Sequence, residues 1–247
     1  MQNIQPNSLK IALCTMSYGD DYRKITQYGI QTKIDYCVKH NYSYIEDFSV
    51  IDHTRPIPWS KILLLKKYLS QYDYLFWIDG DTYIMNDEIK LEDLINNHMN
   101  GKYMLIASDW DKINSGVFFL KNTEYSMKLL DEIYEQTSFI NDSCWEQSAF
   151  ISIYDNNWNN LQNHVELIKN PNQVLFNSYW CNFKPGDFIL HFCGCNRSSG
   201  ILEHIMKKYC ILKREDDTEE SYNARMTWIN EKSVDEAKIV LASILNK

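Results

Sequence analysis

No segment of this 247-residue chain reaches 18 consecutive apolar residues, so none reads as a membrane span. The start, Met1-Gln-Asn-Ile-Gln-Pro6, is polar and lacks the apolar core of a secretory signal. Positive charge is also short. The 25 Lys and Arg face 33 Asp and Glu, a net charge of -8. That excludes a broad nucleic-acid-binding face and leaves room only for a local basic pocket. With 8 glycines the chain has no G-x-G-x-x-G and no Walker loop, so a bound nucleotide must be held without a glycine cradle. Seven cysteines, an odd number without a secretory leader, fit reduced thiols and an expected cytoplasmic location. No internal repeat or low-complexity linker divides the chain, and its length suits one large domain or two small ones. Aromatic residues are what it has in surplus. The 17 Tyr and 7 Trp exceed what a core needs, and they suit a ring-stacking ligand such as a sugar or a base as well as core packing.

One stretch organises the rest: Tyr74-Leu-Phe-Trp-Ile-Asp79-Gly-Asp81-Thr-Tyr-Ile84. An unbroken apolar run of this kind reads as a strand buried on both faces. Its carboxyl end is where open α/β sheets present ligand-binding groups. Asp79 and Asp81 stand two apart and point the same way if the chain stays extended. Gly80 between them lets another backbone or a ligand come close. Paired carboxylates with no nearby positive partner in sequence suit a hard divalent cation, Mg²⁺ or Mn²⁺. An Asp-Gly turn at a strand exit is the plainer alternative.

Around it the spacing predicts a strand over Lys10–Met16, a helix from Asp21 to His40 with Ile30, Ile34, Cys37 and Val38 inward, and a strand at Tyr42–Ile45. This is a βαβ unit, expected to be parallel. A nucleotide is expected at the end of its first strand, near Thr15, Met16 and Tyr18. Trp59-Ser-Lys61 opens the next helix behind Pro58. Lys61, near that helix start, either meets phosphate oxygens or is simply solvated. Further on, a helix over Glu88–Asn97, strands over Tyr103–Ala107 and Asn114–Leu120, and a helix over Glu124–Gln136 are expected. A helix beginning at Cys144 carries Glu146 in its first turn, where the dipole favours an acid. An Asn-rich loop at Asp155–Asn163, strands at Gln173–Phe176 and Asp187–His191, and a helix from Ser199 to Cys210 follow. After a charged break at Lys213–Glu220, a helical tail runs to Lys247 with Ile239, Val240, Ile244 and Leu245 apolar.

Taken in order, Trp59-Ser-Lys61, Trp77-Ile-Asp79-Gly-Asp81, Asn114-Ser-Gly116, Glu146-Gln-Ser-Ala149 and His191-Phe-Cys-Gly-Cys195 resemble the motifs of nucleotide-sugar glycosyltransferases. The likeness is to the GT-A-fold family of galactomannan galactosyltransferases, xyloglucan xylosyltransferases and yeast mannan-extending transferases, and to similar domains of large algal DNA viruses. One departure is Glu146, where the family usually carries aspartate. The resemblance implies an α/β fold with a Rossmann-like, mixed but mostly parallel sheet flanked by helices. It implies a single transferase domain, with a core over about 9–212 and a helical extension over 213–247.

It further implies a metal-dependent transfer of a hexose, deoxyhexose or pentose from a UDP- or GDP-linked sugar to a glycan or other hydroxyl acceptor, with retention. Mn²⁺ or Mg²⁺ would lie between Asp79, Asp81 and His191. Thr15, Met16 and Tyr18 would line the base and ribose pocket, and Lys61 and Arg197 would meet the diphosphate. Gly80 and Gly194 would also line the donor site. Asp109 and Asn114 would reach the donor sugar, with Glu146 and Gln147 on its reacting face. Under inversion instead, Glu146 or Asp109 would be the general base. Trp110, Trp145, Tyr179 and Trp180 are candidates for stacking on the acceptor. Two other classes compete: a sugar-binding relic without turnover, and a haloacid-dehalogenase-like phosphatase. The phosphatase pattern is a poor match, because strands precede the aspartates and Thr82 falls one place early.

Overall fold

The alternation of side chains along Leu75–Ile78 explains why this strand lies at the heart of the molecule. Leu75 and Trp77 enter one apolar core, and Phe76 and Ile78 enter a second on the opposite face. A strand with both faces dry must be covered by helices on both sides. The computed structural model, which describes residues 9–109, 112–169, 172–195 and 199–231, shows that arrangement.

In chain order the elements are β1 (Ile11–Cys14), α1 (Asp20–His40), β2 (Ser43–Ile45), α2 (Ser60–Tyr68), β3 (Tyr74–Ile78), β4 (Thr82–Ile84), α3 (Leu91–His98), β5 (Met104–Asp109) and β6 (Lys112–Lys121). Then come α4 (Glu124–Glu135), α5 (Glu146–Asp155), β7 (Val165–Ile168), β8 (Ser178–Tyr179), β9 (Ile189–His191), α6 (Ser199–Tyr209) and α7 (Glu219–Glu231). A six-stranded sheet runs β2-β1-β3-β6-β5-β7. The β1/β2, β1/β3 and β5/β7 pairs are parallel, and β6 is antiparallel to both its neighbours. A second sheet, β4-β9-β8, stands beside it.

One face of the large sheet packs on α2, α4 and α5 through Ile62, Leu65, Leu129, Leu130, Ile133, Phe150 and Ile153. The other packs on α1 and α3 through Tyr36, Cys37, Leu91, Leu94 and Ile95. Burying side chains of this size contributes about 1.5–3 kcal/mol each. A third core lies under the small sheet, where Tyr83, Leu190 and Phe192 meet Leu202, Ile205, Met206 and Tyr209 of α6 and Ile229 of α7. None of the seven cysteines is joined in a disulfide. Among the described residues no helix is long and apolar enough to cross a membrane.

The sequence expectations need correction at several points. The strand does not run straight through the aspartates. It ends at Ile78, Gly80 and Asp81 form a turn, and β4 then joins the other sheet. Val38 does not face inward but is 77% exposed, and Thr32 and Lys33 take the buried positions on that helix. The helix expected from Glu88 starts at Leu91, and the one expected from Cys144 starts at Glu146. Asn172–Leu175 is a single 3-10 turn, where a strand over Gln173–Phe176 was expected. The Asn-rich loop contains a 3-10 segment, Trp158–Asn163, in which Asn159 and Asn160 take left-handed backbone angles. Asparagine tolerates that region better than most residues. The short strands β7 and β8 carry no periodic signal of their own. In the C-terminal extension, α7 docks on the third core, with the Trp228 and Tyr209 rings 5.2 Å apart. The tail residues Ile239, Val240, Ile244 and Leu245 lie outside the described residues.

Asp217 anchors that extension. It accepts hydrogen bonds from both Arg225 and Arg214, and its side chain is fully covered. The Arg225 guanidinium holds its carboxyl far below the usual range. A depressed carboxylate stabilises the fold in full above its unfolded pKa of about 3.9, and that stabilisation fades as the pH falls through the folded value. Asp217→Asn is therefore expected to lower stability at pH 7 by about 2–3 kcal/mol, with a smaller difference below about pH 3, as read by urea denaturation at both pH values.

Candidate active site

The carboxyl ends of β1 and β3 open on a cleft of about 570 Å³. Asp79 stands just past β3, and its N–H donates to Gly116 O of β6 at 2.8 Å. Asp81 enters β4. His191 ends β9 opposite Thr82, and the Phe192 N–H donates to Asp81 O at 3.0 Å. The pairing of the two short strands thus carries the imidazole to the acids across more than a hundred residues of sequence. One ligand atom each from Asp79, Asp81 and His191 lie within 4.8 Å of one another.

The chemistry of this trio suits a divalent cation. His191 Nδ1 stands 3.0 Å from Asn177 Oδ1. An amide oxygen only accepts, so Nδ1 carries a proton, and Nε2, 3.8 Å from Asp81 Oδ1, is the nitrogen that a neutral imidazole offers to a metal. Asn177 is oriented in turn, donating to Asn114 Oδ1 at 3.2 Å, while Asn114 donates to Asp109 Oδ2 at 3.3 Å. Such outer partners fix the tautomer and angle of a ligating histidine. Asp79 Oδ1 accepts from Trp77 Nε1 at 2.7 Å, which leaves Oδ2 for a ligand. Burial, together with the Asp79 charge, pushes the Asp81 carboxyl above its ordinary pKa against the pull of His191 and Lys33. A bound cation would reverse that preference. Gly116 makes room for the cluster. A Cβ there would lie 2.3 Å from His191 Cε1 and 3.0 Å from Asp79 Oδ2.

A second network forms the opposite wall. Lys61 is not a solvated lysine: it is 4% exposed. Its Nζ donates to Glu146 Oε1 at 2.7 Å and Ser115 O at 3.0 Å, and stands 3.2 Å from Asp79 Oδ1. Desolvation works against its charge, but Asp79 and Glu146 more than offset it and raise its pKa. Ser115 Oγ donates to Glu146 Oε1 at 3.1 Å, and the Ser115 N–H donates to Gln147 Oε1 at 2.9 Å. Glu146 Oε2 is buried without a partner beside the cleft. Burial, opposed by Lys61, raises the pKa of this carboxyl, and burial likewise raises that of Asp109.

The remaining candidates divide. Met16, Tyr18, Gly80, Asp109, Asn114, Gln147 and Gly194 all line the cleft. Thr15 does not: it is fully buried behind the wall, and its hydroxyl has no partner. Arg197 and Trp110 lie outside the described residues. Of the aromatic candidates, Trp145 lines the cleft, whereas Tyr179 and Trp180 are each 6% exposed and lie off it. Trp145 holds φ 49° and ψ -123°, a strained conformation for a side-chain-bearing residue.

Sequence reasoning missed Asn177, Tyr22 and Lys33. The Tyr22 phenol lines the cleft beside Asp81, and burial with the Asp81 and Asp79 charges raises its pKa. Lys33 is wholly buried under the acidic turn, where desolvation lowers its pKa to about 7 against the attraction of Asp81, Asp79 and Glu46. Tyr22 falls on the same helical face as Ile30 and Lys33, so the period carried a signal for it. Nothing local marks Asn177.

Comparison with known proteins gives the following. The sequence model of the galactosyl transferase GMA12/MNN10 family matches residues 8–104 and 95–201. An uncharacterized α-1,2-galactosyltransferase of Schizosaccharomyces pombe is 22% identical over 207 residues, covering 67% of this chain and 55% of that protein. Xyloglucan 6-xylosyltransferase 1 of Arabidopsis thaliana is 26% identical over 146 residues, covering 52% and 31% respectively. The chain thus spans at most about half the length of these relatives. Among solved structures, a glycosyltransferase involved in glycosylation of the PBCV-1 major capsid is similar over 80% of this chain and 98% of its own, with a TM-score of 0.64 and 14% identity. That likeness identifies the architecture as the GT-A fold.

Since a Cβ at Gly116 cannot coexist with the imidazole in place, Gly116→Ala is expected to weaken Mn²⁺ binding at least about tenfold while the far-UV circular dichroism stays that of the parent. Titration of Mn²⁺ followed by its electron paramagnetic resonance signal checks this.

Proposed function

The chain belongs to the galactosyl transferase GMA12/MNN10 family, and on that premise we propose that it is a metal-dependent glycosyltransferase. It moves a hexose, deoxyhexose or pentose from a UDP- or GDP-linked donor to a hydroxyl of a glycan acceptor, with retention. The observation that carries the reading is the charge of the cleft. Among the described residues lining it, Asp79, Asp81, Asp109 and Glu146 are acidic, and the one lysine, Lys61, is already held by Glu146 and Asp79. A diphosphate cannot settle among those carboxylates without a bridging cation. Asp79, Asp81 and His191 supply the oxygen and imidazole donors that suit Mn²⁺, with Mg²⁺ the alternative. Bound there, the cation supplies Lewis-acid stabilisation of the charge that develops on the departing diphosphate.

The chain's own residues do the rest. Met16 and Tyr18 bound the end of the cleft where the base and ribose lie. The Tyr18 ring packs near Phe48 and His53 at the rim, at centroid distances of 5.7 and 6.0 Å. Arg197 adds a cation toward the diphosphate. Asp109, held by Asn114, accepts hydrogen bonds from donor-sugar hydroxyls. Gln147, fixed by the Ser115 N–H, and Glu146 face the anomeric carbon, where positive character develops. Glu146, a residue of the cleft lining, has one oxygen tied to Lys61 and Ser115 and the other buried without a partner. A carboxylate immobilised in this way stabilises an oxocarbenium-like sugar better than it shuttles a proton. This favours retention, with the departing phosphate taking the acceptor proton. The apolar wall of Ile57, Pro58 and Trp145 receives the acceptor ring. No observation favours the phosphatase or the relic.

The test is release of nucleoside diphosphate from a panel of nucleotide sugars, with an oligosaccharide acceptor and Mn²⁺. Chelation is expected to abolish turnover and Mn²⁺ to restore it. Asp81→Asn is expected to lower kcat/KM at least about a hundredfold, and Glu146→Gln to lower kcat by roughly the same factor with little change in donor KM. Full activity in excess chelator would refute the reading.

A further inference from the structure

Every backbone carbonyl from Asp79 to Thr82 is engaged. Asp79 O accepts from Thr82 Oγ1 at 2.8 Å, and Asp81 O accepts from the Phe192 N–H at 3.0 Å. The other two, Gly80 O and Thr82 O, point the opposite way and accept from one atom, Lys33 Nζ, at 3.2 and 3.0 Å. They flank Asp81 on either side. The strand β9 and the helix α1 therefore grip the same short segment from opposite directions, and the side-chain direction of Asp81 follows from the grip.

The rest of this helix face is built for that approach. Gly29 lies one turn before Lys33, and a Cβ on it would stand 2.4 Å from Thr82 O. Thr32 Oγ1 accepts from the Ile84 N–H at 3.2 Å. The Tyr22 ring covers Gly80 from the cleft side, with Cε1 3.0 Å from where a Gly80 Cβ would stand. An apolar residue at position 33 would fill the space without the desolvation cost of a buried ammonium. It would also strand two buried carbonyls. The lysine serves the turn rather than the core. Its charge works against a cation across the turn, so whatever it contributes to cation binding comes from its N–H donors.

We propose that Lys33 is a positioning residue of the cation site, clamping the Asp79-Gly80-Asp81 turn through two main-chain carbonyls so that both carboxylates are held in a binding arrangement before the cation arrives. This rests on the reading of Asp79, Asp81 and His191 as a cation site. It concerns the free protein and is independent of the donor.

The experiment is Mn²⁺ binding without nucleotide, followed by electron paramagnetic resonance well below the melting temperature of each variant. Lys33→Met is expected to raise the Kd for Mn²⁺ at least tenfold. Lys33→Gln keeps an amide donor but on a shorter arm that reaches one carbonyl, and is expected to raise it at least threefold. Thr32→Val removes the neighbouring hydrogen bond from the same helix and leaves the clamp intact, so its Kd is expected within twofold of the parent. If Lys33→Met does not fold, Lys33→Gln carries the test. A parent-like Kd in either lysine variant overturns the proposal, and so does a Thr32→Val protein as impaired as Lys33→Met, which would mark general loosening of the helix. A parent protein that binds no Mn²⁺ overturns the cation reading itself and this inference with it. A parent that binds while the lysine variants bind equally well overturns this inference alone.

Discussion

Concentrated negative charge is the constraint around which this molecule is arranged. Asp79, Asp81 and Glu146 converge on one cleft, where burial, with the Asp79 charge beside them, makes the Asp81 and Glu146 carboxyls resist ionisation. The fold answers with cations that do not face solvent. Lys61 comes from the wall shared with α2 and ties Glu146 to Asp79, while Lys33 comes up from α1 beneath the turn. Neither lysine is free for a substrate phosphate. Among the described residues lining the cleft no other lysine or arginine remains for a ligand. This division separates charge that builds the site from charge that handles the substrate.

The turn between the two acids is also where the chain leaves one sheet and joins another. β3 is a member of the large sheet and β4 of the small one, with only Asp79, Gly80 and Asp81 between them. Because β4 pairs with β9 in a fixed register, His191 lies opposite Thr82, and the imidazole arrives beside Asp81 as a consequence of strand pairing. Buried main-chain groups need partners, so a one-residue slip would leave several unpaired and also turn the imidazole to the other face. The same hydrogen bonds that join the sheets therefore set the ligand geometry. Asn177, the residue immediately before β8, then locks the ring.

Much of this was legible in the linear sequence, for identifiable reasons. The run Leu75–Ile78 announced a doubly buried strand because nothing polar interrupts it. Asp79, Asp81 and His191 stood at strand ends, where ligand-binding groups collect, and motif order linked them before any distance was known. Lys61 was harder. A lysine at a helix start looks solvated until the partner Glu146, 85 positions later, is brought to it. Lys33 was hidden differently, because a polar residue inside an amphipathic helix is normally assigned to the exposed face, and Val38 was placed inward in its stead. Thr15 misled in the opposite sense, since being near the end of β1 does not put a side chain in the cleft. Asn177 follows a 3-10 turn with no periodicity, and its role exists only through His191.

The length of the Glu146 side chain matters to the same geometry. The residue lies in the first turn of α5, directly after Trp145, whose φ of 49° breaks the chain direction. From there the carboxylate spans to Lys61 Nζ and Ser115 Oγ with one oxygen, while the other stays buried without a partner. A side chain one methylene shorter could satisfy both only if α5 moved toward β6.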